Sequence, residues 1–500
     1  MKNLLLAFAC FIICSLVSAQ TGTEQNNEPY RPKFHFTPKA HWMNDPNGLV
    51  FHNGVYHMFY QYYPEGRVWG PMHWGHATSK DLINWEEQKI ALSPDSLGYI
   101  FSGSAVFDEF NTCGLGKNHK APLVAIFTQH NNEGEKAGLN NFQNQCMAYS
   151  NDEGKTWTKY ARNPVLKNPG IKDFRDPKVL WYPLGKKWVM ALATGDHVTF
   201  YSSRDLKNWS KESEFGQSNG AHGGVWECPD LFPIDYNGKQ VWVLLVSFNP
   251  GAPNGGSTTQ YFIGDFDGKE FKPSDTETRI MDYGPDHYAG VTFSNTGHRR
   301  ILIGWMSNWQ YAQVVPTDPW RSAMTIPREL DLKDVDGKLY LTSNPIAELS
   351  GRMKEPKQIG SVNVKKEYDL SPKIDFRSAT FSLQLADAEA KDFSIVLDNE
   401  VGDEMVIGYD KKSNQYYIDR SKSGKIDFET GFGKRSFAPR LASGLINLTL
   451  IADMASVELF ADGGLTEMTG IFFPRQPVTK IWLKSTDGVK IKDVVYRRME

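Results

Sequence analysis

One pattern, written several times along the chain, limits what this polypeptide can fold into. A short alternating run is followed by a polar turn around an Asp, and an aromatic then opens the next run. Residues 77–85 read ATSKDLINW, 148–157 AYSNDEGKTW and 200–209 FYSSRDLKNW, and 263–271 (IGDFDGKEF) form a looser fourth copy. Measured between Asp81, Asp152, Asp205 and Asp265, the steps are 71, 53 and 60 residues. A repeat of this size made of hairpins cannot bury its own faces and must stack against its neighbours. Radial stacking of four-stranded sheets does this and protects the edges. The alternative is a string of unrelated hairpins in a sandwich, and three close copies speak against it. Other alternating runs, at 55–60 and 188–192, sit between Gly, Asn, Asp and Pro turns. No convincing amphipathic helix interrupts them. The expected fold is all-β, with a five-bladed β-propeller over residues 33–335. Alternating runs at 380–385, 393–397 and 448–453 predict an antiparallel β-sandwich over 345–500.

A chain of 500 residues is long enough for two such domains. Lys and Arg number 55 against 58 Asp and Glu, a net charge of −3, which offers no basic footprint for nucleic acid. Residues 1–19 read as a signal peptide: Lys2, an apolar run from Leu4 to Val17, and small residues at Ser18 and Ala19. Ile13-Cys14 leaves a lipoprotein reading as the alternative. Both readings predict export, and no later segment is expected to span a membrane. On the signal-peptide reading Cys10 and Cys14 leave with residues 1–19. The remaining Cys113, Cys146 and Cys228 are odd in number and lack metal-type spacing, so no disulfide framework is expected.

Three acidic motifs fall within the propeller units. His41-Trp42-Met43-Asn44-Asp45-Pro46-Asn47-Gly48 contains a well-formed turn sequence, yet it opens the first unit, where an inner strand would face the axis. Phe174-Arg175-Asp176-Pro177 could be a surface ion pair before a Pro kink. In Val225-Trp226-Glu227-Cys228-Pro229, Glu227 is hemmed in by Trp226, Cys228 and a Pro. That setting argues against a solvated face and disfavours the charged form. Asp176 and Glu227 are 51 residues apart, nearly one repeat, which predicts like positions in adjacent blades. Three carboxyls in one funnel suit glycosidic cleavage: one attacks, one protonates the leaving oxygen, one braces an oxocarbenium-like transition state.

With these motifs in this order, the chain resembles glycoside hydrolase family 32, the invertases, inulinases and levanases. Residues 69–76 (WGPMHWGH), 101–104 (FSGS), 282–286 (DYGPD) and 453–460 (DMASVELF) extend the likeness over nearly all the mature chain. In the last, Met454-Ala455 departs from the family's usual Arg-Ser. The overall likeness, notably residues 68–76 (VWGPMHWGH), looks closer to microbial levanases and inulinases than to plant invertases. The resemblance implies a retaining hydrolase that releases fructose from the ends of β-fructans or from sucrose. It implies Asp45 as nucleophile, Asp176 as transition-state stabiliser and Glu227 as acid/base. Asn44, Gln61 and Ser102 become candidate hydroxyl partners, Arg175 an anchor for Asp176 or a hydroxyl. Trp42, Trp69, Phe101 and Trp305 would wall the fructose pocket, with blade packing as the competing role for each aromatic.

The remaining motifs carry less. His73 and His76 are three apart, so on a strand they face opposite ways and a shared metal is not expected; no cofactor is implied. The Gly-rich loop at 251–256 matches no phosphate cradle. Cys228 reads as a small packing residue beside the acid. Two rival functions remain at this point: a fructosyltransferase using the same intermediate, and a sugar-binding propeller without catalysis. Oligomeric state is not readable.

Overall fold

The computed structural model describes residues 28–374 and 380–500. The expected signal segment at 1–19 lies outside the described residues. The molecule is a five-bladed β-propeller followed by a β-sandwich.

Blade one comprises β1 (His41–His52), β2 (Val55–Tyr63), β3 (His73–Ser79) and β4 (Glu86–Glu87). Blade two is β5 (Tyr99–Phe107), β6 (Leu123–His130), β7 (Gln143–Ser150) and β8 (Thr158–Lys159). A short helix, α1 (Asn132–Lys136), interrupts its β6–β7 connection. Blade three is β9 (Phe174–Tyr182), β10 (Lys187–Thr194), β11 (Val198–Ser203) and β12 (Ser210–Phe215). Blade four is β13 (Val225–Tyr236), β14 (Lys239–Asn249), β15 (Thr258–Phe266) and β16 (Phe271–Pro273), with β17 (Arg279–Ile280) also on β15. Blade five holds β18 (Tyr288–Thr292), β19 (Ile301–Met306), β22 (Arg328–Val335) and β23 (Lys338–Pro345), with β21 (Ala323–Met324) also pairing β19. Strand β20 (Trp320–Arg321) pairs in parallel with β1. The inner strands β1, β5, β9, β13 and β18 pack each on the next, and β18 returns to β1. The fifth blade runs to Pro345, past the expected end at 335, because the final hairpin turns at Asp336-Gly337.

The sequence repeat is the outer hairpin of the first four blades. In blade one, Asp81 Oδ1 accepts from the amides of Ile83 and Asn84 at 3.0 and 2.7 Å. In blade three, Asp205 does the same with Lys207 and Asn208 at 2.9 and 2.8 Å. Such Asx turns fix the chain reversal locally. The closing indoles of Trp85, Trp157 and Trp209 each donate to a carbonyl three residues back, Leu82, Gly154 and Leu206. In the fourth copy the turn Asp is Asp267, which accepts from Lys269 and Glu270 amides at 2.8 Å each, and not Asp265 as the spacing suggested.

The sandwich packs a seven-stranded sheet against a six-stranded one, with inward residues such as Leu383, Leu450, Ile395 and Ile407 in one buried core. Buried ion pairs seat it on the propeller. Arg328 donates to Asp282 at 2.8 Å and also bonds Glu458. Arg420 reaches Asp286 at 2.7 Å. His35 spans Asp453 and Glu458, 2.7 Å from each. The motifs at 282–286 and 453–460 therefore join the domains.

Candidate active site

The five inner strands share one irregularity at one level of the ring. In each, two consecutive residues stand opposite one residue of the next strand. The pairs are Asn44-Asp45, Phe101-Ser102, Asp176-Pro177, Cys228-Pro229 and Ala289-Gly290. A β-bulge of this kind re-aims side chains that would otherwise alternate between faces. Asp176, Cys228 and Ala289, the first bulge residues of blades three to five, take φ of 64°, 46° and 52°, a conformation costly for a residue with a Cβ. Their amides are held by neighbours: Asp176 by Thr128 Oγ1 at 3.0 Å, Cys228 by Asp176 Oδ2 at 3.1 Å, Ala289 by Ser247 Oγ at 3.1 Å. Asp-Pro-Asn-Gly is thus not a turn. It lies within β1, whose second bulge needs Gly48 at φ 53°, where a Cβ would come 2.7 Å from the Phe59 ring.

This register corrects one expectation. Asp176 and Glu227 are not at like positions. Asp176 matches Cys228, and Glu227 matches Arg175 before it and Tyr288 after it. The matched trio touch: Arg175 Nη2 donates to Glu227 Oε1 at 3.0 Å, and the Tyr288 hydroxyl donates to Oε2. Arg175 also donates to Asp173 at 2.6 Å. Trp226 turns away, its indole bonded to the Ala221 carbonyl. The apolar surround expected for Glu227 is therefore replaced by a guanidinium and a phenol.

The funnel between the blades has a free volume of about 230 Å³, and Asp45, Asp176 and Glu227 all line it. Asp45 accepts from Ser102 Oγ at 2.7 Å and Asn44 Nδ2 at 3.0 Å. The Trp42 indole donates to Asn44 Oδ1 at 2.7 Å and so fixes that amide. Burial, followed by the charge of Glu227, raises the Asp45 pKa, against hydrogen bonds from Ser102, Asn44 and Cys228 that lower it. Burial pushes Asp176 up to about 7; Arg175 opposes this, while Glu227 and Asp45 add to it. The Cys228 thiol is held well above its usual range by burial among three carboxyls, so it is a neutral donor.

Asn44, Gln61, Trp69, Phe101, Ser102 and Arg175 also line the funnel. Trp42 and Trp305 do not: both are 0 % exposed and sit in the hydrophobic core behind it. Trp305 packs its ring 4.9 Å from that of Trp309, and Trp309 is the indole that reaches the cavity. Sequence reasoning also passed over Tyr288, His130, Glu135 and Asp173. His57 and His76 lie side by side in the first blade, Nδ1 of the former 3.2 Å from Nε2 of the latter, and burial lowers their pKa to about 4 and about 3. His73 instead donates to the Pro71 carbonyl. Cys113, Cys146 and Cys228 are free and buried.

Residues 35–343 match the N-terminal domain model of glycosyl hydrolases family 32, and 348–497 match its C-terminal model. The chain belongs to glycoside hydrolase family 32. It is 44% identical to the levanase of Bacillus subtilis, over 98% of this chain and 74% of that protein. It is 39% identical to the extracellular exo-inulinase of Aspergillus awamori, over 92% of this chain and 93% of the relative. The β-fructofuranosidase of Schwanniomyces occidentalis, solved with fructosyl-erythritol, superposes with a TM-score of 0.86 at 33% identity, over 94% of this chain and 98% of that one. As a member of family 32, the protein is a glycoside hydrolase.

Proposed function

We propose that this hydrolase releases fructose from the non-reducing ends of β-fructans and from sucrose with retention of configuration. Asp45 attacks the anomeric carbon as nucleophile. Glu227, protonated, delivers its proton to the departing oxygen, and a fructosyl-enzyme forms. Glu227 then takes a proton from water, and the resulting hydroxide displaces Asp45. Asp176 accepts hydrogen bonds from ring hydroxyls that strengthen as positive charge builds. Arg175 orients Glu227, and Asn44, Ser102 and Gln61 bind hydroxyls against the walls of Trp69, Phe101 and Trp309.

One observation carries the reading. Cys228 touches two carboxylates, with Sγ 3.5 Å from Asp45 and 3.7 Å from Asp176, while its neighbour Glu227 faces the same cavity. The levanase and exo-inulinase among the relatives support fructans as substrates. Export fits the signal-like residues 1–19 and the extracellular relative; among the described residues no helix is long and apolar enough to cross a membrane. NMR of the first-formed fructose tests the mechanism: double displacement gives the β anomer, and an initial α anomer rules it out.

A further inference from the structure

The β6–β7 connection carries polar groups that the proposed chemistry does not use. β6 ends at His130, and Asn131 caps α1 by accepting from the Gly134 amide at 3.0 Å. This helix brings Glu135 back over the strand end, with Oε2 3.1 Å from Nε2 of His130. Both side chains line the funnel with Asp45 and Glu227. Glu135 stands on the rim, its side chain 47% exposed, while that of Asp176 at the base is 5% exposed.

His130 is fixed in place. Its ring lies on that of Phe101, centroids 4.2 Å apart and planes within 7°. Its Nδ1 is 3.3 Å from the Gln143 side-chain amide nitrogen. Burial, joined by the Arg175 charge and opposed by Glu135, lowers its pKa, so the ring is neutral. With Nδ1 accepting from that amide, the ring proton sits on Nε2. That nitrogen is buried and makes no well-aligned hydrogen bond among the described residues. Glu135 Oε2, 3.1 Å away, is a poorly aligned acceptor for it, and a ligand hydroxyl in line with the N–H makes a better one. Lys136, beside Glu135 in sequence, pairs with Glu133 at 2.9 Å instead. A neutral imidazole is thus what Glu135 meets, and its carboxylate retains accepting capacity toward the funnel.

The placement decides which part of the substrate these groups meet. The oxygen protonated by Glu227 belongs to the sugar that departs, so that sugar lies on the mouth side of the Arg175–Glu227 pair. Arg175 is close enough to His130 for its charge to act on the imidazole.

We propose that His130 and Glu135 form the binding site of the departing sugar, the glucose of sucrose or the next fructose of a fructan. Glu135 accepts from one hydroxyl and His130 Nε2 donates to another. This rests on the fructosidase reading above. The test compares kcat/KM for sucrose and for an aryl β-fructofuranoside, whose leaving group has no sugar hydroxyls, in wild type, Glu135→Ala and Glu135→Gln. The expected result is a fall of about tenfold in the sucrose-to-aryl ratio for Glu135→Ala, carried mainly by KM, with partial recovery in Glu135→Gln. An unchanged ratio overturns the proposal, whether both activities hold or both fall together. Wild type that frees no fructose from either substrate overturns the fructosidase reading itself, a separate result.

Discussion

Sγ of Cys228 sits 3.5 Å from Oδ2 of Asp45. The same thiol is 3.7 Å from Asp176, and the Cys228 amide donates to that second carboxylate. A residue that looks like packing beside the acid is thus a donor to the other two carboxyls. Cys228→Ala keeps the left-handed backbone about as strained as before and removes only the thiol. Asp45 then loses one of the hydrogen bonds that lower its pKa. The acid limb of the kcat/KM profile should move to higher pH, with a loss of about 2–10-fold at the optimum. An acid limb that stays in place would show that the thiol does not act on Asp45.

Glu227→Gln keeps the shape of the acid but has no proton to give. Turnover on sucrose should drop by about 10²–10⁴ because proton donation is lost, while an aryl fructoside with a good leaving group suffers far less in the cleavage step. Equal losses on both substrates would argue against the acid role.

Much of this architecture is legible in the sequence because its repeating unit is set by local chemistry. An Asp that accepts from amides two and three residues on makes its turn wherever it occurs. Asp81 and Asp205 announce their blades for that reason. The fourth copy is harder because two Asp stand two residues apart: Asp265 belongs to β15 and pairs with Lys272, and only Asp267 makes the turn. The position of Asp176 relative to Glu227 is not local at all. It follows from where each bulge falls in its ladder, a matter of strand pairing, so counting repeats misses by one residue. Trp305 carried a usable signal: it lies in the unbroken apolar run of β19 (ILIGWM), the mark of a strand buried on both faces. Trp309 follows Ser307-Asn308, outside any strand. Nothing around Tyr288 in the sequence distinguishes it from a core aromatic.

That distinction between the two indoles can be measured. Trp305→Ala empties a fully buried site and should destabilise the fold by about 3–5 kcal/mol, read as a lower midpoint in denaturant unfolding. Trp309→Ala should leave the midpoint nearly unchanged and lower kcat/KM about 3–10-fold, mainly through KM, by removing a wall of the sugar pocket. A Trp309 variant with full activity but poor stability would reverse the two assignments.

The seat between propeller and sandwich should make stability depend on pH in a set direction. Burial alone would lower the His35 pKa, but Asp453 and Glu458 outweigh it and raise it from 6.5 to about 9. A raised pKa means that folding favours the proton. The contribution is therefore complete below 6.5 and lost as pH rises through about 9, and is worth about 3 kcal/mol over that window. The two carboxylates act in the other direction. Their pKa values are lowered, burial being outweighed by His35 for Asp453 and by Arg328 and His35 for Glu458, so their share is present above the ordinary carboxyl range and lost in acid. Denaturant midpoints measured from pH 6 to 9.5 should fall with rising pH in wild type. His35→Gln should start lower and fall less, since it has no proton to lose. A wild-type midpoint that stays level across that range, or climbs, would mean that the imidazole is neutral in the folded protein and that the seat holds without its charge.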